Sequence, residues 1–171
     1  TGELIFTFAP ITSSRKDTRS ILDELAQRVL SYWALSDQKR FVKRVPKYDA
    51  YKIAKRVDDD LWATDTRKAI VELNKAYELD TTYYTVLLKV AQGYSNLTEM
   101  TKVDSVLNLI EDKNVELTQW EHLRFKAIKA RNQGKYLKNA QTYEALMALD
   151  TTYIHAKHNA ATNYGNINQL T

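Results

Sequence analysis

Apolar residues recur along most of this chain with the period of an amphipathic helix, about 3.6 residues. The start is different. Leu4, Phe6 and Phe8 alternate with Glu3, Ile5 and Thr7, which predicts a short strand over Glu3 to Phe8, ended by Pro10 and the polar Thr12-Ser13-Ser14. A single strand is not stable by itself, so this one is expected to pair with a sheet of a preceding domain or with the same strand of a second copy. Ile21, Leu22, Leu25, Ala26, Val29, Leu30 and Trp33 then trace a helical stripe behind the capping residues Asp17, Thr18 and Ser20. Pro46 follows a basic segment and restarts the chain, because the residue before a proline is driven out of helical geometry.

From Tyr48 onward the stripes come in pairs. Tyr51, Ala54 and Val57 predict one helix, interrupted at Asp58-Asp59-Asp60, and Ala69, Ile70, Leu73, Ala76 and Tyr77 predict its partner. Leu87, Val90, Ala91 and Tyr94 lead to Val103, Val106, Leu107 and Ile110. Thr118 and Glu121 have the spacing of a capping box and open a helix with Leu123, Ala127 and Ala130. Gly134 ends it, and Tyr136, Ala140, Tyr143 and Leu146 form its partner. A final helix carries Ala160, Ala161 and Tyr164, and its outer face needs cover from a further repeat, a cap or another chain.

One pentapeptide punctuates this series. Leu79-Asp80-Thr81-Thr82-Tyr83 returns as Leu149-Asp150-Thr151-Thr152-Tyr153, an offset of 149 − 79 = 70 residues. Two steps of about 35 residues are the period of a helical repeat array, with the pentapeptide as the elbow between hairpins.

These residues resemble the tetratricopeptide repeat (TPR) family. Ala69, Leu73 and Ala76 hold the small, large and small positions of the first repeat; Leu87, Ala91 and Tyr94 fit the second, where Val103 and Ile110 replace small residues. Leu123, Ala127 and Ala130 fit the third, with Asn139, Tyr143 and Leu146 following. Thr81 and Thr151 stand where the family usually has proline. The resemblance implies an all-α fold, a right-handed α-solenoid over residues 48–171 with repeats at about 48–83, 84–117, 118–153 and a partial 154–171. Residues 1–47 then supply a strand and an extra helix. Their order is similar to what precedes the repeats in bacterial multidomain regulators carrying a kinase, cyclase or winged-helix module, so the chain is read as a piece of such a regulator. That places it in the cytoplasm or, for a membrane-anchored regulator, in an extracytoplasmic part.

Composition supports helices. Among 171 residues there are four Gly and two Pro, too few for a turn-rich β fold, and 44% are hydrophobic, enough for one continuous core. Cysteine is absent, which excludes disulfides, thiolate zinc sites and cysteine nucleophiles. No apolar run reaches the ~18 residues of a membrane span. The formal charge of +4 is local in origin. Lys39, Arg40, Lys43, Arg44, Lys47, Lys52, Lys55 and Arg56 face only Asp49 in their stretch; removing these eight from 25 bases and one from 21 acids leaves 17 bases against 20 acids.

Catalytic motifs are lacking: the glycines are scattered singly, and no Gly-x-Ser-x-Gly turn or Cys/His pair is present. Asp58, Asp59, Asp60 and Asp65 do not make a calcium loop, since Ala63 and Ala69 stand where Gly and Glu are required. His155 and His158 lie one turn apart but lack the further ligands of a zinc site. Tyr94, Tyr136, Tyr143 and Tyr164 fall on expected packing positions. The sequence therefore carries no catalytic, cofactor or metal assignment.

The resemblance implies protein or peptide binding on a concave face lined by the first helix of each repeat. Transferring those positions selects Lys52, Arg56, Leu88, Gln92, Asn96, Arg124, Arg131, His155 and His158. Such a groove is mostly basic and favours acidic ligands. Leu88 and Gln92 depart from the residues with which some family members clamp a chaperone C-terminus. Two other readings stay open: a homo-oligomerisation module using the Glu3–Phe8 strand and the last helix, and an adaptor whose Lys39–Arg56 run contacts RNA or another polyanion.

Overall fold

The computed structural model describes residues 10–11, 18–35 and 44–168. The strand expected over Glu3 to Phe8, and Asp17, Lys39, Arg40 and Lys43, lie outside the described residues. Among the described residues the protein is all helical and contains no strand. Eight α-helices run α1 (Thr18–Ala34), α2 (Tyr48–Arg56), α3 (Thr66–Leu79), α4 (Tyr84–Asn96), α5 (Met100–Asp112), α6 (Gln119–Asn132), α7 (Tyr136–Leu149) and α8 (Ile154–Asn168). None is long and apolar enough to cross a membrane.

Each helix rests on the next in sequence, and α4 also rests on α6. The core is accordingly a row of three clusters. Ala54, Val57, Ile70, Leu73 and Ala76 meet Val86 and Val90 of α4 in the first. Leu87, Leu88 and Ala91, on the other side of α4, meet Val103, Leu107 and Ile110 of α5 and Phe125 and Ile128 of α6 in the second. Ala127, Tyr143, Leu146, Ala156 and Ala160 make the third. Helices α4 and α6 each serve two clusters, so burial on two sides dictates their composition. Burying one of these leucines contributes about 2 kcal/mol.

The two elbows take the same form because Asp does the same work in each. The backbone at Asp80 (φ −143°, ψ 93°) and at Asp150 (φ −143°, ψ 95°) leaves the helix identically. In both, the threonine two residues on donates its backbone N–H and its hydroxyl to the aspartate, at 3.0 and 2.7 Å for Thr82 and at 3.0 and 2.6 Å for Thr152. This Asx turn replaces the rigidity of a proline. Gly134 reverses the chain between α6 and α7 with φ +67°, a conformation that costs glycine nothing.

The expected capping box forms at α6. Glu121 accepts from the Thr118 N–H at 3.0 Å while the Thr118 hydroxyl accepts from the Glu121 N–H at 3.2 Å. Glu121 is buried, and its other oxygen accepts from Thr85 of α4 at 2.7 Å, so the cap also fastens α4 to α6.

Two local expectations are corrected. Asp58-Asp59-Asp60 does not interrupt the helix after α2: Val57–Leu61 continues it as a π-helical turn, in which the Trp62 N–H reaches the Val57 carbonyl at 2.9 Å. Asp65 then caps α3, accepting from the Lys68 N–H at 3.0 Å. Helix α8 is seated by Ala156, Ala160 and Asn163, leaving Ala161 and Tyr164 exposed, with the Tyr164 hydroxyl donating to Glu144 at 2.9 Å. Short side chains at Ala156 and Ala160 allow closer approach to α7 than a tyrosine ring permits.

The helix expected from the Ile21-to-Trp33 stripe forms as α1, with that stripe turned outward. Its polar side is the seated one. Ser31 is fully buried, Gln27 accepts from the Asp49 N–H at 3.0 Å, and the Tyr51 hydroxyl donates to the Ala34 carbonyl at 2.9 Å. Arg28 bonds Glu24 at 2.9 Å, Asp80 at 2.6 Å and the Val45 carbonyl. Leu22, Leu25, Val29, Leu30 and Trp33 are exposed. The receiving surface, at Asp80, Lys47 and Asp49, is itself polar, and hydrogen bonding decided the orientation.

Candidate functional site

A cleft of about 630 Å³ has walls from α2, α4, α6 and α8. Helix α2 and the turn after it supply Tyr51, Ala54, Lys55, Asp58 and Trp62. From α4 come Thr85, Lys89, Gln92 and Asn96, from α6 Trp120 and Arg124, and from α8 His155 and Asn159. The elbows contribute Tyr83 on one side and Asp150, Thr152 and Tyr153 on the other.

Aromatic rings line the cleft at both ends. Trp120 and Tyr153 lie with ring centres 6.0 Å apart, and Tyr153 meets His155 edge-on at 6.0 Å. The Arg124 guanidinium lies over the Trp120 ring at 4.9 Å. Among the described residues no carboxylate forms an ion pair with Arg124. A planar cation held on a ring face keeps its donor edge in a fixed direction, suited to a carboxylate.

Lys89 sits deeper and is only 17% exposed, ion-paired with Asp58. Burial depresses its pKa below the usual lysine range, Asp58 opposes that shift, and nearby Arg124 reinforces it. Tyr83 is also buried, and desolvation raises its phenol well above the ordinary range.

Of the residues selected from sequence, Gln92, Asn96, Arg124 and His155 line the cleft. The Gln92 amide donates to Asn96 at 2.9 Å and Arg131 donates to the same oxygen at 3.2 Å, which turns the Asn96 amide nitrogen into the available donor. Lys52, Arg56, Arg131 and His158 do not line it: Lys52 pairs with Asp49 at 2.8 Å, Arg56 with Glu72 of α3 at 2.6 Å, Arg131 reaches the cleft only through its bond to Asn96, and His158 is exposed on α8. Leu88 is fully buried in the second cluster and faces away from the cleft.

The residue in its place is Lys89, one position on and about 100° around the helix. The signal was present in the sequence. Thr85 to Ala91 is apolar on nearly every side except at Lys89, and Lys89, Gln92 and Asn96 at i, i+3 and i+7 mark the one polar line of a helix otherwise enclosed. Trp62, Trp120 and Tyr153 were missed because they sit at helix ends and elbows, off the periodic stripes. Among the described residues no group of three or more His, Asp or Glu is placed to hold a metal ion.

Comparisons of the chain with protein-family models, with curated proteins and with solved structures give no match.

Proposed function

We propose that this chain is a non-catalytic interaction scaffold, a right-handed α-solenoid of TPR type, that captures an acidic peptide segment of a partner protein in the α2/α4/α6/α8 cleft. The observation that carries the reading is Arg124, fixed on Trp120 with no carboxylate partner among the described residues, in a cleft whose lysines, Lys55 and Lys89, are paired with Asp59 and Asp58. Trp62, Trp120 and Tyr153 offer flat apolar surface beside that charge, which fits a segment pairing an acidic residue with an aromatic or aliphatic one. Within a bacterial signalling or transcription regulator such capture would couple a partner to an output module.

A fluorescence-anisotropy screen of labelled peptides tests this. Peptides with Asp or Glu next to Phe, Trp or Leu are expected to bind, and their lysine-substituted counterparts to fail. Arg124→Glu combined with Arg131→Glu abolishes binding while far-ultraviolet circular dichroism stays unchanged. Equal binding by the double variant, or a preference for basic peptides, sinks the assignment.

A further inference from the structure

The cations of the cleft differ in what already neutralises them. Lys55 pairs with Asp59, Lys89 pairs with Asp58, and Arg124 lies on the Trp120 ring with no ion pair among the described residues. The two lysine pairs are not equivalent. Lys55 and Asp59 are 47% and 53% exposed, so water screens whatever they offer a ligand. Lys89 is 17% exposed, and its attraction for a carboxylate is screened far less. It would bind a ligand's acid strongly were Asp58 not already on it.

Asp58 reaches that position from another element. It stands in the π-helical turn Val57–Leu61, 31 residues before Lys89, and accepts a hydrogen bond from the Lys89 ammonium. Both residues line the cleft, and the Asp58 carboxylate is 42% exposed, so the pair is reachable from it. The other carboxylate there, Asp150, is engaged by Thr152 at the second elbow. Burial pushes the Lys89 amine toward its neutral form, and Asp58 opposes that and holds its charge. A carboxylate fixed in the same molecule has a high effective concentration, which a ligand's carboxylate must outcompete. One that approached Lys89 with Asp58 in place would meet a like charge in a poorly screened setting.

From this arrangement we infer that Asp58 is a specificity-determining residue of the cleft: its carboxylate takes the place of a ligand's second acidic group. The cleft then reads one acidic residue, at Arg124, and disfavours segments with two, because the wrong ligand is repelled as well as the right one attracted. The inference rests on the peptide-capture reading above and narrows its ligand to singly acidic segments. Removing the Asp58 charge opens Lys89 as a second acid-reading position.

Fluorescence anisotropy of acetylated, amidated peptides tests the inference. One probe has a single Glu beside Trp, and the others add a second Glu at successive distances from the first. The wild-type chain binds the single-Glu probe at least as tightly as any two-Glu probe. Asp58→Asn keeps the side-chain shape and an acceptor for Lys89; it makes one two-Glu spacing bind about tenfold more tightly relative to the single-Glu probe. Adding Lys89→Met cancels that gain. Asp60→Asn removes the same charge from the same turn, outside the cleft lining, and leaves the ratio at its wild-type value. Far-ultraviolet circular dichroism of the variants matches the wild type. A wild-type chain that prefers two-Glu probes overturns the inference while the capture reading stands. So does an Asp58→Asn variant whose ratio stays put, or moves no more than that of Asp60→Asn. A wild-type chain that binds none of the probes overturns both.

Discussion

Arg28 and Asp80, 52 residues apart, meet at 2.6 Å with both side chains largely removed from water. Asp80 thereby does two things at once: one oxygen closes the elbow on Thr82, and the other receives Arg28 and, at 2.8 Å, the Lys47 N–H. The junction between α1, α2 and the first elbow is concentrated on this one carboxylate.

The two elbows therefore respond differently to the same change. Asp80→Ala removes the Arg28 and Lys47 N–H bonds as well as opening the turn, while Glu24 still pairs with Arg28, and should cost about 2–3 kcal/mol. Asp150→Ala opens the second turn at Thr152 without touching Arg28, and should cost at least about 1 kcal/mol. Urea unfolding of the two variants checks the difference. Equal losses would mean that Arg28 adds nothing to the fold.

Gly93 of α4 packs tightly against Ile70 of α3. A methyl group there would stand 2.7 Å from Cγ1 and 3.0 Å from Cδ1 of Ile70, the first being mid-chain and unable to swing aside. Gly93→Ala gains about 1 kcal/mol of helix propensity but overpacks the core by about 1–3 kcal/mol, for a net loss of stability. The loss should vanish in an Ile70→Ala background, where the methyl fills space rather than competing for it. A thermal-unfolding double-mutant cycle reads the coupling directly.

Stability should fall in alkali through buried phenols. Burial raises the pKa of Tyr83 and of Tyr143 above the ordinary value of about 10. As pH passes 10 the unfolded chain releases protons that the folded chain keeps, so the contribution present below that pH is progressively lost. Lys89 acts with the opposite sign. Its depressed pKa makes the folded chain release a proton first, so stability rises as pH climbs toward the unfolded lysine value of about 10.4. Circular dichroism between pH 8 and 12 should show Tyr83→Phe moving the alkaline transition upward and Lys89→Met flattening the rise before it.

Sequence alone determined what local periodicity and short-range hydrogen bonding control. The helical stripes, the Thr118/Glu121 cap, the Gly134 reversal and the twin elbows are all written in residues a few positions apart, because the atoms that define them are neighbours in the chain. Four of the nine residues assigned to the groove line the cleft for the same reason.

The tertiary structure decided what depends on which surface meets which. Periodicity identifies an apolar stripe but not whether the stripe or the side opposite it is seated. On α1 the hydrogen-bonding surface at Asp80, Lys47 and Asp49 took the polar side. On α4 two clusters claimed Leu87 and Leu88 together, and the rotation of about 100° per residue carried Lys89 into the cleft. Arg124 and Trp120 were both legible as residue types. Their stacking at i and i+4 follows from helix α6 itself, whereas Tyr153 comes to lie against Trp120 only through the packing of the second elbow.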